Sequence, residues 1–421
     1  MQNFKFLHAA DLHLDSPLLG LESHEEAPIE TIRNATREAL RNLVDHCIAE
    51  GVNFLLIAGD VFDGDWKSAE SGRFFAQQML RLASAEQPIP VFMVKGNHDA
   101  ISILSRDLPV ENVFTFSAVK AQTKMLPEIG VAIHGRSYSR PDTTDDISQE
   151  YPAPVQGSFN IGILHTCAGG RPGHERYAPC EIEALKRKGY DYWALGHVHR
   201  REIISDNPYI IFPGNLQGRK FVESAPEGKG CTEITVENGI VVRAEHKAFD
   251  VVRWSLLEVD ISECATAQEA TSQVIAELRQ NANSIAPTLL ATRIKIVGIS
   301  EASPEIFKDL TSFTLTLREH VASLALNAWI EDILVECRSN ILNDDDVGAS
   351  IQGVLSSVRE FAEANEADLR KEKINPLLSK IRPIAPELAE ESGLSSESLI
   401  NDLLPEIEEV IAAVAKESLS R

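Results

Sequence analysis

The sequence predicts an α/β domain that is followed by a small α+β domain and a helical tail. Over residues 1–250, apolar strand-like runs alternate with helical patterns, which is typical of an α/β fold. From about Val251 the order becomes strand, helix, strand, helix, strand, and after the acidic turn at 344–346 helical stripes continue to the C-terminus. We therefore expect domains at residues 1–250, 251–340 and 341–421.

The first domain is expected to contain at least six strands and two helices. Its predicted strands lie at 3–7, 53–58, 91–94, 159–164, 192–195 and 209–212. Ile29 to Glu50 reads as a helix because apolar residues recur at spacings of three and four, and Gly51 can end it in a left-handed cap. A second helix is predicted at 68–85, before Pro88.

The second domain and the tail carry no block that resembles a catalytic motif. We expect strands at 254–259, 289–297 and 329–336 and helices at 267–280 and 304–325, forming an α+β unit that borders the first domain without supplying chemistry. The tail is amphipathic, with one apolar stripe over 351–362 and another over 404–414. These helices either bind a partner or pack on their own chain or on a second copy, and the sequence leaves both readings open.

Composition restricts the classes of function. No apolar run approaches the roughly 20 residues that span a bilayer, and no secretory leader is visible, so we expect a cytoplasmic protein. The six cysteines form no CxxC pair, which matches reduced thiols. The net charge of -23 opposes general attraction to nucleic acid, so any such contact must be local.

Five polar blocks each adjoin the end of a predicted strand, where α/β sheets place their ligand sites. They are Asp11-Leu12-His13, Gly59-Asp60-Val61-Phe62-Asp63, Gly96-Asn97-His98-Asp99, Leu164-His165-Thr166 and Gly196-His197-Val198-His199. A spacing of two on an extended segment puts Asp11 and His13 on one face, and likewise His197 and His199. Each pair can therefore address one metal cluster.

The blocks supply a mixed set of nitrogen and oxygen ligands. The candidate metal ligands are Asp11, His13, Asp60, Asn97, His165, His197 and His199. Asp60, after an apolar strand, is the expected carboxylate bridge, and such a set suits Mn, Fe or Zn better than Ca or Mg. Two divalent ions roughly 3.5 to 4 Å apart lower the pKa of a water to roughly 7 and supply a nucleophile at neutral pH.

His98 remains as the candidate general acid, with Asp99 expected to orient it. We assign the other histidines structural roles, although His134 also ends a strand-like run. Cys167, close to His165, is read as a packed thiol.

The blocks and the wider strings DLHLDSPL, GDVFDGDWK, YDYWALGHVH and FPGNLQGR resemble the calcineurin-like metallophosphoesterases. Within that family they are most similar to the SbcD-type nucleases and the YhaO-type bacterial DNA repair exonucleases. The resemblance covers about residues 4–220 and implies a four-layer α/β/β/α sandwich with a small α+β capping domain and a helical C-terminal tail.

The resemblance also implies roles for individual residues. One metal would be held by Asp11, His13, Asp60 and His199, and the other by Asp60, Asn97, His165 and His197. The metals would be manganese, with iron and zinc as alternatives, and His98 would be catalytic. Some relatives have a second histidine where this chain has Asp63, so the positioning of duplex ends is expected to differ.

The partners implied by the resemblance are DNA, an SbcC-type coiled-coil ATPase docked by the helical tail, and a second copy of the chain in a homodimer; no membrane is expected. The implied activity is a 3′ to 5′ exonuclease with single-strand endonuclease activity in DNA repair. Basic residues near the blocks could follow a phosphate backbone. Those selected are Arg136, Arg200, Arg219 and Lys220.

Two other functions use the same sequence features. A phosphatase or phosphodiesterase for a small nucleotide, lipid or phosphoprotein would need the same metals but a closed pocket rather than an open groove. A degenerate scaffold that only recruits an ATPase would lack ligands, whereas this chain has all of those expected.

Overall fold

The computed structural model describes residues 3–16, 27–63, 69–101, 110–169, 178–324 and 326–339. The predicted helical tail at 341–421 lies outside these residues. The described residues divide into two compact units, one drawn from 3–255 with 285–291 and the other from 256–284 with 292–339. None of the helices in the described part is long and apolar enough to span a membrane.

Within the described residues there are fifteen strands and seven α-helices. The strands are β1 (Phe4–Ala9), β2 (Phe54–Ala58), β3 (Val91–Val94), β4 (Val113–Thr115), β5 (Gln122–Leu126), β6 (Val131–Gly135), β7 (Phe159–His165), β8 (Tyr192–Gly196), β9 (Glu202–Asp206), β10 (Tyr209–Phe212), β11 (Gly230–Glu237), β12 (Ile240–Ala248), β13 (Val252–Asp260), β14 (Leu289–Val297) and β15 (Ala328–Val335). The helices are α1 (Ile29–Glu50), α2 (Ala69–Ala83), α3 (Asn97–Ile101), α4 (Ile182–Arg187), α5 (Ala267–Ser284), α6 (Ser303–Lys308) and α7 (Leu310–Ser323).

Two six-stranded sheets form the centre of the first unit. Their strand orders are β12-β11-β1-β2-β3-β4 and β5-β6-β7-β8-β10-β9. Strands β1 to β4 are mutually parallel, as are β6, β7, β8 and β10, while the hairpin β11–β12 joins the first sheet antiparallel to β1. The carboxyl ends of the parallel strands therefore share an edge in each sheet, and the polar blocks adjoin those ends.

The predicted four-layer sandwich is confirmed by how the apolar side chains divide. On β2, Leu55 and Ile57 pack in the cluster that contains α1 and α2 residues, whereas Phe54, Leu56 and Ala58 pack in the cluster between the sheets. This alternation is the period of two expected for a strand buried on both faces. Phe6 and Phe54 stack with ring centroids 4.8 Å apart in the layer between the sheets. The fourth layer covers the second sheet with α4 and its flanking loops.

The six strands predicted for the first domain are confirmed to within two residues at each end, and α1 begins and ends as expected. Gly51 caps α1 at φ 58°, the left-handed conformation that glycine adopts without a side-chain clash. Strands β4, β5, β9, β11 and β12 were not predicted, and β6 was noted only as a strand-like run that ends near His134. Several of them, such as β5 with its burial pattern of mostly exposed and half-buried residues, lack the alternation by which a strand is recognised.

The three-stranded sheet β13-β14-β15 and helices α5 to α7 give the predicted order of elements after Val251. One helix predicted over 304–325 is instead two. The chain breaks at Asp309, with φ -145° and ψ 68°, and its carboxylate accepts a hydrogen bond from Ser312 N to cap α7. An aspartate in that position favours a new helix start over continuation of the old one.

Candidate metal centre

The loops after β1 and β2 are joined by backbone hydrogen bonds that bring three candidate ligands together. Asp11 N donates to Gly59 O and His13 N to Asp60 O, each at 3.0 Å. Asp11, His13 and Asp60 have φ of 51°, 43° and 53°. The expectation that Asp11 and His13 share a face because their segment is extended is therefore wrong, since both residues adopt the left-handed conformation.

Glycine is required where these loops touch the ligands. A Cβ on Gly96 would lie 2.2 Å from Asp60 Oδ1 and 2.8 Å from His165 Nε2. A Cβ on Gly196 would lie 1.9 Å from Ala58 O, on the backbone of β2. Gly96 and Gly196 thus allow the close approach on which the ligand geometry depends.

Asp11, His13 and His199 form the first cluster, with ligand atoms within 4.8 Å of one another. The Nε2 atoms of His13 and His199 are 3.1 Å apart. His199 Nδ1 lies 2.9 Å from the Glu223 carboxylate, an acceptor that fixes the proton on Nδ1 and leaves the lone pair on Nε2. That lone pair faces His13, as expected for two imidazoles that share a metal ion.

Asp11, Asp60 and His165 form the second cluster, with Asn97 beside them. His165 Nδ1 donates to Ala58 O at 2.9 Å, so its Nε2 carries the lone pair. This Nε2 lies 3.0 Å from Asn97 Oδ1 and 3.3 Å from Asp60 Oδ2. Asp60 Oδ2 is also 3.9 Å from His13 Nε2, so the carboxylate lies between the two clusters.

His197 lies beside the second cluster. Its ring centroid is 5.2 Å from that of His165, and its backbone N–H donates to both carboxylate oxygens of Asp11 at 3.1 and 3.0 Å. The φ of His197 is 105°, so this pair of histidines is not extended either.

The electrostatics of the clusters favour a cation. Burial alone would raise the pKa of Asp60, but the charge of His165 lowers it overall. Burial opposes protonation of His165, yet the charge of Asp60 and its hydrogen bond raise the pKa of His165 to about 9. Buried acceptors that attract a proton this strongly also suit divalent metal ions, and the mixed donor set is the kind that Mn, Fe or Zn accepts.

His98 lies at the solvent side of the clusters, with 39% of its side chain exposed. Its Nδ1 is 3.0 Å from Asp63 Oδ1, and this hydrogen bond, against the effect of burial, raises the pKa of His98. We expected Asp99 in that role. Asp99 instead accepts hydrogen bonds from the backbone N–H groups of Val61, Phe62 and Gly96, so it holds the loops together while Asp63 contacts His98.

Asp63 belongs to a buried chain of charges that reaches the first cluster. Ser16 Oγ donates to Asp63 at 2.6 Å, and Arg219 lies 3.5 Å from Asp63 and 2.9 Å from Glu223. Glu223 in turn contacts His199. The ligand atoms of His13, Asp63 and His98 also lie within 4.8 Å of one another, but the neighbouring guanidinium of Arg219 disfavours a further cation there.

The four residues expected to contact nucleic acid divide into two pairs. Arg219 forms ion pairs with Asp63 and Glu223, and Arg136 forms one with Glu150. The charges of both arginines are therefore balanced within the protein. Arg200 and Lys220 are exposed. Nowhere in the described ranges does either side chain form a hydrogen bond or ion pair.

Two polar residues of the site escaped the sequence analysis. Glu223 lies in a short 3-10 turn, Phe221–Glu223, and is buried with its oxygens shared by His199, Arg219 and Asn215. Asn215 lies within FPGNLQGR, one of the strings that carried the resemblance, so this string is the signal that could have revealed it. Glu223 has no comparable signal, because its role arises from packing rather than from a motif.

Comparison with known proteins agrees with this geometry. Residues 4–201 match the family described as calcineurin-like phosphoesterase, and residues 254–338 match the one described as metallophosphoesterase YhaO, middle domain. The uncharacterized metallophosphoesterase YhaO of Bacillus subtilis is 34% identical over 270 residues, which are 62% of this chain and 64% of YhaO.

Two archaeal proteins named DNA double-strand break repair protein Mre11 are also similar. The one from Methanopyrus kandleri is 27% identical over 280 residues, covering 60% of this chain and 57% of that protein. The one from Sulfurisphaera tokodaii is 24% identical over 257 residues, covering 57% of this chain and 62% of that protein. The match spans less than two thirds of each of these three relatives. Residues 4–201, which carry the clusters of metal-ligating side chains, are thus a calcineurin-like metallophosphoesterase domain.

Proposed function

We propose that this chain is a phosphodiesterase that cleaves DNA at a centre of two divalent metal ions. The observation that carries the proposal is the pair of adjoining ligand clusters, Asp11–His13–His199 and Asp11–Asp60–His165, with Asp60 between them and His98 at their solvent side. Asn97 and His197 complete the second cluster. Two metal ions in such a site activate water and stabilise the charge of an in-line phosphoryl transfer.

His98 protonates the oxygen that leaves the scissile phosphate. Its Nδ1–H is held by Asp63, so Nε2 is the atom available to the substrate, and the raised pKa of His98 keeps it protonated further into the neutral range. Asp99 acts indirectly by fixing the loop that carries His98.

DNA is favoured as the substrate by two independent points. Relatives named for DNA double-strand break repair match along 57% and 60% of this chain. Arg200 and Lys220 also offer open positive charge next to His199, although the chain as a whole is strongly acidic. We extend the proposal to a manganese enzyme of the cytoplasm that degrades DNA in repair, from 3′ to 5′ and by nicking single strands. In the same proposal it forms a homodimer and binds an SbcC-type ATPase through residues 341–421.

The test is digestion of an end-labelled linear duplex, beside a chromogenic phosphodiester and a phosphomonoester, with and without Mn. Wild type is expected to release label only with metal, and the His98→Ala variant is expected to be nearly inactive with its metal content intact. Turnover confined to the phosphomonoester would reject DNA as the substrate and favour the small-molecule phosphatase instead.

A further inference from the structure

A cavity of about 670 Å³ opens beside His199, outside the ligand clusters. Its wall contains five basic residues against two acidic ones, in a chain whose net charge is -23. The cavity is larger than a single phosphate needs and falls within the range of about 300–1,000 Å³ typical of ligand pockets. Because His199 belongs both to the wall and to the first cluster, a ligand in the cavity would adjoin the metal centre.

Two of the five basic residues already have partners within the protein. Arg219 is paired with Asp63 and Glu223, and Lys229 is buried with its Nζ donating to His199 O at 2.7 Å. Burial lowers the pKa of Lys229, in keeping with a structural role. These two side chains shape the cavity and position the His199 loop.

The other three are Arg200, Arg201 and Lys220. Across the part of the chain that the structure describes, their side chains form no hydrogen bond or ion pair, and Arg201 Nε is a buried donor without an acceptor. A buried donor left unpaired costs free energy that a bound acceptor recovers. Of the two acids in the wall, Glu223 is occupied by Arg219 and His199, which leaves Glu227 at the exposed rim.

The cavity wall also carries apolar surface. Val222 is 77% exposed and lies in the same wall as Lys220. An exposed aliphatic side chain next to unpaired cations matches a ligand that combines an anionic group with a ring or sugar, as a nucleotide does.

We propose that this cavity is a subsite for the nucleotide next to the scissile bond, binding its phosphate through Arg200, Arg201 and Lys220. The inference rests on the proposed function and deepens it. It states that the preferred substrate is a DNA strand with a further phosphodiester beside the one that is cleaved, rather than a compound with a single phosphate.

The test compares the dinucleotide TpT, which has one phosphodiester, with the trinucleotide TpTpT, which has two. With Mn, the wild-type kcat/KM for the trinucleotide is expected to be at least about tenfold higher than that for the dinucleotide. A factor of this size corresponds to one charge-assisted hydrogen bond to the second phosphate. In the Arg200→Ala/Lys220→Ala double variant this ratio is expected to fall close to one. Both side chains are exposed and unpaired in the described structure, so folding should survive, which circular dichroism verifies.

A matched control is the Arg187→Ala/Lys120→Ala double variant. It removes the same two residue types from exposed positions away from the cavity and should keep the wild-type ratio. Binding of a fluorescein-labelled oligothymidylate in chelator gives a second readout. The logarithm of the binding constant falls linearly with the logarithm of the salt concentration. The slope of this line should become shallower by roughly 0.7 for each phosphate contact that the Arg200→Ala/Lys220→Ala variant removes.

The outcomes separate this inference from the proposed function. If wild type cleaves both oligonucleotides equally well, or if the double variant keeps the wild-type preference, the subsite is rejected while the phosphodiesterase stands. If wild type cleaves neither and hydrolyses only a phosphomonoester, the proposed function fails and the subsite fails with it.

Discussion

At the scale of single residues, Asp63 and Asp99 have different roles beside His98. Asp63 touches the imidazole, whereas Asp99 accepts backbone hydrogen bonds from two loops. Asp63→Asn should therefore lower kcat by about tenfold to hundredfold, a part of the 10²–10⁴ that a positioned general acid contributes. Metal content should remain unchanged, as measured by mass spectrometry of the purified protein. Wild-type turnover in the Asp63→Asn variant would show that Asp63 does not position His98.

His8 gives a pH dependence of stability that is separate from the metal centre. It is fully buried, with Nδ1 2.9 Å from Tyr192 Oη and Nε2 donating to Leu195 O, and burial lowers its pKa from 6.5 to about 3. The unfolded chain gains a proton on His8 below about pH 6.5 while the folded chain does not. The free energy of unfolding should fall as the pH drops, by up to about 1.4 kcal/mol per pH unit from this residue.

The measurement is urea unfolding at pH 7 and pH 5.5 in chelator, for wild type and His8→Gln. The variant should start from a lower stability but lose less of it on acidification. Equal losses in the two proteins would mean that His8 is not the neutral buried group described here.

Sequence reasoning located the candidate ligands because each adjoins the end of an apolar strand. The residue type, which is read directly from the sequence, also determines which atom can bind a metal. It did not locate the partners of those residues. The Asp63–His98 and Glu223–His199 contacts join residues 35 and 24 positions apart in the chain. Only the packing of the loops decides which carboxylate faces which imidazole, so Asp99 was chosen wrongly over Asp63.

At the scale of elements, the 3-10 turn Phe221–Glu223 supports the first cluster. Glu223→Gln should weaken metal binding by about tenfold to hundredfold, because it weakens the acceptor that fixes the tautomer of His199. Titration of the metal-free protein with Mn measures the affinity. Glu227→Gln, exposed on the same cavity wall, is the matched control, and an equal effect of both substitutions would contradict the role of Glu223.

Glycine is needed more strictly at Gly96, in the loop between β3 and α3, than at Gly51, which ends α1. Gly96→Ala should reduce metal affinity, because its Cβ meets Asp60 Oδ1 and the His165 ring. Gly51→Ala meets no atom within 4 Å and should cost only about 1–2 kcal/mol of stability from its left-handed φ. Comparing Mn affinity and urea unfolding for the two variants checks this, and unchanged affinity in Gly96→Ala would contradict it.

Elements with a strong local pattern were predictable, and those defined by neighbours were not. The 22-residue α1 carries an apolar stripe and a glycine cap, so its ends were predicted correctly. The hairpin β11–β12 completes the first sheet from residues more than 220 positions beyond β1, and its outer strand contains only exposed and half-buried residues. The break at Asp309 depends on a single cap that competes with continuous helical periodicity.

At the scale of the whole molecule, the sequence predicted the layers but not the order of the strands. The four-layer arrangement followed from the resemblance, since the pairing of strands between distant segments leaves no local trace in a single sequence. The sheet order β12-β11-β1-β2-β3-β4 is what aligns the carboxyl ends of β1, β2 and β3, and hence Asp11, Asp60 and Asn97. Docking of an ATPase by residues 341–421 stays a prediction.

We expect two metal ions to act together in this domain. The most direct measurement is the initial rate of phosphodiester cleavage as the metal-free protein, held well above its metal dissociation constants, is titrated with Mn. The rate should stay low through the first equivalent and reach its plateau at two equivalents per chain, and Asp60→Ala should give no such rise. A plateau at one equivalent, or cleavage that persists in chelator, would show that catalysis does not require two metal ions.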